Sequence, residues 1–327
     1  MNPGVPKHYY FIGAAVCVAT AALMCVSIYI HPQVKAEVSG TLNVVSTSEV
    51  ASTTKPLRIL FVGDMFFDRF IRAQMSVYGD DYPLACIDPL LKSVDFVIGN
   101  LEGPITTQAS ISLGSIPGSA KNYVFTFPTT TAEVLARHNV RAVTLGNNHI
   151  LNFGRDGVVQ THTYLDTAGV GYFGGSVGDE PIYRVDEYGE HLSFVAYNEF
   201  GGASAEAVAQ RIYEESSLGR TVIVFAHWGT EYSTSIKNIQ PLAILFAESG
   251  AKAIIGSHPH VVGQHEYLDH TPVYYSLGNF IFDQYFSTGT QHGLAVELTF
   301  GNGSVTNIEE YPLRIERNGQ TCEDKTI

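Results

Sequence analysis

The sequence predicts an α/β fold built on a mixed sheet, and three observations predict it. From Leu57 onward, short continuous runs of β-branched and aromatic residues recur, as expected for strands buried on both faces. Segments of helical period separate them. In the second half, two pairs of alternating runs flank glycine-containing turns and read as β-hairpins, which adds antiparallel strands to the parallel ones.

In chain order, residues 1–8 form a short tail. Residues 9–30, YYFIGAAVCVATAALMCVSIYI, contain no charged side chain, and about 20 apolar residues suffice for a helix to cross a bilayer. Tyr9, Tyr10 and Tyr29 lie near its ends, where aromatic belts sit. The run is longer than the ~7–15 residues of a signal-peptide core, so it reads as a transmembrane signal anchor. Val34-Lys35-Ala36 leaves cleavage open as the alternative. Lys7 and Lys35 flank the span too evenly to orient it. Residues 31–56, rich in Ser, Thr and Val, read as a flexible linker.

The strands expected next are 58–63 (RILFVG), 95–99 (DFVIG), 141–146 (RAVTLG), 221–226 (TVIVFA), 251–256 (AKAIIG) and 272–278 (PVYYSLG). Helices are expected at 129–138, 155–168, 205–217 and 239–249. The hairpins pair 183–186 with 191–197, and 293–300 with 304–313 around Gly301-Asn302-Gly303. One domain spans 57–317, and 318–327 reads as a polar tail.

Composition narrows the function. Of 327 residues, 45% are hydrophobic and 16% charged, which excludes a disordered chain. The formal net charge is −13. No nucleic-acid partner is expected, because phosphate-backbone binding needs an excess of Lys and Arg. An anionic polymer is repelled at long range unless divalent cations reverse the sign locally. Of four cysteines, Cys17 and Cys25 lie in the apolar run, and no CxxC pair occurs. A Cys86–Cys322 disulfide stays open, since sequence does not fix their distance.

The informative feature is the set of residues that ends each apolar run. Gly63 is followed by Asp64, Gly99 by Asn100, Leu101 and Glu102, and Gly146 by Asn147, Asn148 and His149. Ala226 is followed by His227, Gly256 by Ser257, His258, Pro259 and His260, and Gly278 by Asn279. Ligand sites of open α/β sheets form beyond the carboxyl ends of strands. Oxygen and imidazole donors without thiolates suit Mn, Fe or Zn.

These segments also resemble a known family. GDMFFDR (63–69), NLEGPIT (100–106), NNHILNFG (147–154), HWGTEY (227–232), GSHPHV (256–261) and SLGNFIFDQ (276–284) resemble successive motifs of the CapA family, in its order, across nearly all of 57–285. CapA-like proteins are similar to calcineurin-type metallophosphoesterases. The resemblance therefore implies an α-β-β-α sandwich of mixed sheets with metals at the strand ends. It also implies a domain held outside the cytoplasm by the N-terminal anchor.

By the same resemblance, Asp64 ligates the first of two divalent metal ions and Glu102 bridges the pair. Asn148, His227 and His258 hold the second ion, and His260 reaches the first. His149 is then a general acid or a donor to a substrate oxygen. Asn100, Asn147, Asp68, Arg69, Asn279 and Asp283 are expected around the ligands or on the substrate, with Arg69 toward an anionic group. Trp228 walls the site or stacks on substrate. The competing readings are a helix cap for Asp64, turn residues for Glu102 and Asn148, an Asp68–Arg69 ion pair and core packing for Trp228. The chain departs from the family in having Asn152 where an aspartate is usual, and in lacking a DxH histidine in its first motif.

The implied function is a metal-dependent hydrolase or transferase in capsule (poly-γ-glutamate) or other cell-surface polymer synthesis. Its substrate is an anionic polymer or a phosphate-containing precursor. The alternative is a non-catalytic, metal-assisted polymer-binding or export component, working with capsule-synthesis membrane proteins. A plain phosphodiesterase unrelated to capsule is the third reading.

Overall fold

A computed structural model describes residues 55–175 and 180–326. The expected tail, anchor and most of the linker, residues 1–54, lie outside the described residues. Among those described, no helix is long and apolar enough to cross a membrane.

In chain order the strands are β1 (Leu57–Met65), β2 (Phe96–Leu101), β3 (Val140–Thr144), β4 (Gly171–Phe173), β5 (Ile182–Glu187), β6 (Glu190–Asn198), β7 (Thr221–His227), β8 (Ala251–Ser257), β9 (His265–Leu268), β10 (Thr271–Tyr274), β11 (Asn279–Ile281), β12 (His292–Gly301), β13 (Ser304–Ile315) and β14 (Thr321–Glu323). The helices are α1 (Arg69–Tyr78), α2 (Asp88–Leu91), α3 (Thr131–Arg137), α4 (Gly154–Ala168), α5 (Ala205–Ser217) and α6 (Gln240–Glu248). One sheet runs β14-β13-β12-β1-β2-β3-β4, with β11 also on β1; the other runs β5-β6-β7-β8-β10-β9. Both are mixed. β1, β2, β3 and β4 are parallel, as are β6, β7, β8 and β10. The two expected hairpins are the antiparallel pairs β5–β6 and β12–β13.

Strand periodicity explains the layers. In β1, Leu57, Ile59 and Phe61 join the core between the sheets, with Phe194, Phe225 and Ile255 of the other sheet. The alternate residues Leu60 and Val62 pack outward against Ile71 of α1, Val134 of α3 and Leu165 of α4. On the opposite flank, Val222 and Val224 of β7 meet Val208 and Ile212 of α5 and Phe246 of α6. Each such side chain, fully buried, contributes about 1.5–3 kcal/mol. Because both faces of the central strands are covered, their sequences read as continuous apolar runs rather than as alternation. The layering is helix, sheet, sheet, helix.

Three departures from the sequence reading matter. β1 continues to Met65 because its end pairs with β11, so Asp64 lies inside a strand and α1 begins only at Arg69. The run expected as one strand at 272–278 is split. β10 ends at Tyr274, and the chain crosses to the first sheet, where Gly278 has φ of 69° and Asn279 opens β11. Gly63 and Gly278 meet at this crossing: Asp64 N–H donates to the Gly278 carbonyl at 3.1 Å, and a Cβ on Gly63 would sit 1.9 Å from that oxygen. Finally, the segment read as a polar tail enters the sheet. β14 pairs with β13, Thr321 is buried, and Cys322 is disulfide-bonded to Cys86 with their Cα atoms 5.1 Å apart.

Candidate metal centre

The carboxyl ends of β1 and β2 in one sheet and of β7 and β8 in the other open at the same rim. Register puts the donors in line: Asp64 lies opposite Asn100 and Asn279, and His227 opposite Ser257. Asp64 is fully buried. Its Oδ1 accepts Nδ2–H of Asn100 at 2.8 Å, and its Oδ2 accepts the backbone N–H of His258 at 3.1 Å. Oδ2 also lies 3.3 Å from Nδ1 of His260. Glu102, equally buried, places Oε1 3.5 Å from Nε2 of His260 and 3.9 Å from Nε2 of His149.

The turn after β8 holds its two imidazoles under backbone strain. His258 has φ of 96° and His260 φ of 58°. Left-handed backbone costs about 1–3 kcal/mol at a non-glycine residue and clusters at functional sites. The tautomers follow from the amides. Asn279 donates through Nδ2 to the Thr290 carbonyl at 2.9 Å, so its Oδ1 faces Nδ1 of His260 at 3.0 Å. His260 therefore donates from Nδ1, and its Nε2 lone pair points at Glu102. His227 sits 3.0 Å from Asn148 Oδ1 through Nε2 and 3.0 Å from Ser257 Oγ through Nδ1. Its ring centroid is 4.8 Å from that of His258. Asn147 braces the floor, donating to Asn100 Oδ1 at 3.0 Å and to the Leu101 carbonyl at 2.8 Å.

Burial dominates the electrostatics of the site. Burial, with the Asp64 carboxylate beside it, pushes Glu102 well above the usual carboxylate range. Burial also acts upward on Asp64, but hydrogen bonding and charge from His260, with His227 and Asn100, hold it below that range. Burial drives His227 well below its ordinary value and His149 and His258 down to about 4, the crowding of other imidazoles adding to the effect.

The residues present fit a divalent ion. Ligand atoms of Asp64, Glu102 and His260 all lie within 4.8 Å of one another, a span that ligand bonds of ~2.0–2.2 Å close with small side-chain adjustments. Among the described residues, both oxygens of Glu102 and Nδ1 of His258 are buried without a hydrogen-bond partner. An uncompensated buried carboxylate costs several kcal/mol, and a cation supplies what it lacks. Oxygen and imidazole donors suit Mn, Fe or Zn.

Beyond the candidate ligands, three expected residues are placed differently. Asp68 is buried but does not pair with Arg69: it accepts from Arg72 Nε and Ser112 Oγ, each at 2.8 Å, and from Thr126 N–H at 3.0 Å. Arg72 lies one helical turn on, on the same face, whereas adjacent residues of a helix point apart. Arg69 pairs instead with Asp283 and lies over the Phe66 ring at 4.5 Å. Trp228 does not wall the site. It is fully buried on the helix side of the second sheet, donates Nε1–H to the Tyr275 carbonyl at 2.9 Å and packs on Phe246.

Other neighbours had no sequence signal. Phe125 packs tilted against His149 with ring centroids 4.2 Å apart, and Phe200 against His258 at 4.2 Å, but both lie outside the strand-end pattern and carry no ligating atom. Asn152, in the position usually held by aspartate, still reaches Nδ1 of His149 with Oδ1 at 3.2 Å.

Residues 58–284 match the family described as "Bacterial capsule synthesis protein PGA_cap". The chain is 27% identical over 277 residues to the "PGA biosynthesis protein CapA" of Bacillus subtilis (strain 168), covering 78% of this chain and 70% of that protein. It is 24% identical over 282 residues to the "Capsule biosynthesis protein CapA" of Bacillus anthracis, covering 80% and 68%.

Proposed function

The chain belongs to the bacterial capsule synthesis protein family, and on that premise we propose that it is an extracytoplasmic metal-dependent hydrolase or transferase. In this reading residues 9–30 anchor it in the cell membrane. Its substrate is a cell-surface polymer such as poly-γ-glutamate, or a phosphate-linked precursor. The observation that carries the proposal is the bare, buried carboxylate of Glu102 set between Asp64 and the imidazoles of His149 and His260.

Two divalent ions, held by Asp64, Glu102 and His260 and by Asn148, His227 and His258, would supply Lewis acidity and a charge clamp around the reacting group. The chain's own residues prepare that place. Asn279 fixes His260 with its Nε2 lone pair inward, and Asn152 does the same for His149. Burial keeps His149 neutral near pH 7 with Nδ1–H on Asn152 and Nε2 free, so it would act as a general acid toward a leaving oxygen only after taking a proton at Nε2 from water. Phe125 and Phe200 cover two imidazoles and limit water.

One observation favours the second reading, a polymer-binding or export component acting beside capsule-synthesis membrane proteins. Asn152 is a neutral partner and does not stabilise an imidazolium as a carboxylate would. Turnover of a phosphodiester and a γ-glutamyl anilide by metal-loaded full-length chain and by His149→Ala separates the two. Loss of about 100-fold or more with metal content retained supports the enzyme. Absent turnover in the wild type, with polymer still bound, supports the binding component.

A further inference from the structure

Beside the metal centre a cleft of about 250 Å³ opens between residues 117–123 and 283–286, with Arg69 and Tyr232 in its walls. Three properties define its chemistry. First, it carries no net charge at its base. Arg69 donates from Nε to Asp283 Oδ2 at 3.2 Å and from Nη2 to Oδ1, and the two side chains are only 13% and 8% exposed. A second anion would meet the Asp283 carboxylate as well as the guanidinium. Second, the cleft presents aromatic faces to solvent: Tyr123 is 46% exposed, Tyr232 44% and Phe286 66%. Phe286 and Tyr232 meet edge to face at 5.1 Å, and Tyr123 lines the same cleft. Third, its polar edge is made of hydrogen-bonding groups rather than charges. Gln284 donates to Tyr232 Oη at 3.2 Å and accepts from Asn279 at 3.2 Å.

Asn279 also holds His260, so the wall of the cleft and the metal centre share one chain of hydrogen bonds. The backbone points the same way. Tyr232 has φ of 61° and donates its N–H to the Pro259 carbonyl at 2.8 Å, between the two strained histidines. Such strain persists where the surroundings hold a side chain in a set place.

We propose that this cleft binds a neutral saccharide unit of a cell-surface glycan. A pyranose ring offers an apolar C–H face to an exposed aromatic ring and hydroxyls to amides and to a paired Arg–Asp. A phosphate or polycarboxylate chain finds neither a net positive charge nor a use for three rings. The proposal concerns binding alone and stands whether or not the metal centre turns over a substrate.

The test is saturation-transfer NMR on the full-length chain in a sugar-free detergent such as lauryldimethylamine oxide. The probes are cellotetraose, N-acetylchitotetraose and a γ-linked glutamate tetramer. At least one tetrasaccharide binds saturably. Tyr123→Ala and Phe286→Ala, both changes at exposed side chains, each weaken it roughly tenfold. Lys252→Ala, at the opposite end of β8, leaves it unchanged. The proposal is overturned if neither tetrasaccharide saturates, if the aromatic variants bind as wild type, or if the glutamate tetramer alone binds and is lost in the same variants.

Discussion

Asn152 Oδ1 accepts the backbone N–H of Phe125 at 2.8 Å and faces Nδ1 of His149 at 3.2 Å. The backbone contact fixes which amide atom points at the imidazole, so His149 donates from Nδ1 and its Nε2 faces Glu102. Burial holds this imidazole down to about 4. Asn152→Asp replaces a dipole with a charge and keeps the acceptor. The expected outcome is a rise in the His149 pKa of roughly 1–2 units, read from its imidazole shift in an NMR titration. An unchanged titration contradicts the contact.

The metal-free protein is expected to lose stability in mild acid. His149 and His258 titrate near 4 when folded, against 6.5 in the unfolded chain, and His227 is shifted the same way. Above pH 6.5 neither state binds these protons and their contribution to stability is complete. As the pH falls from about 6.5 toward 4, the unfolded chain gains protons that the folded chain resists. For His149 and His258 a shift from 6.5 to about 4 corresponds to a loss on the order of 3 kcal/mol each once the pH reaches 4, and His227 acts in the same direction. Glu102, raised when folded, acts in the opposite sense and offsets part of this loss. Urea denaturation after chelation, at pH 7.5, 5.5 and 4.5, reads the slope. Stability that is flat or rises over this window contradicts the neutral imidazole cluster.

Trp228→Phe separates packing from a role in the site. The substitution leaves a gap against Phe246 and strands the Tyr275 carbonyl. It is expected to cost about 1–3 kcal/mol with bound metal per folded molecule unchanged. Metal loss at full stability would reverse that reading.

Much of the site is legible in the sequence because the strand ends carry chemistry that turns do not need. Asp64, Glu102, His227 and His260 each come just after an apolar run, and the parallel order of β1, β2, β7 and β8 turns that pattern into proximity. Trp228 is not legible. It comes one residue after His227, and adjacent strand residues face opposite sides, so its place depends on the layer beyond the sheet. The partner of Asp68 is hidden because the start of α1 depends on β1 reaching Met65, which in turn depends on pairing with β11. The split at Gly278 and the docking of β14 are tertiary events with no local period to announce them. The cleft joins Tyr123, at the end of a 3-10 turn, with Tyr232 and Phe286 in two loops, and nothing in their spacing links them.

The proposed joint hold of Asp64, Glu102 and His260 on a divalent ion rests on their clustered ligand atoms. It is tested most directly by elemental analysis of the full-length chain, loaded with Mn, Fe or Zn and desalted, beside Glu102→Ala and His260→Ala with circular dichroism to confirm folding. Bound metal is expected in the wild type, and its loss in both folded variants. A wild type that holds no metal under replete conditions, or variants that hold as much as the wild type, would contradict it.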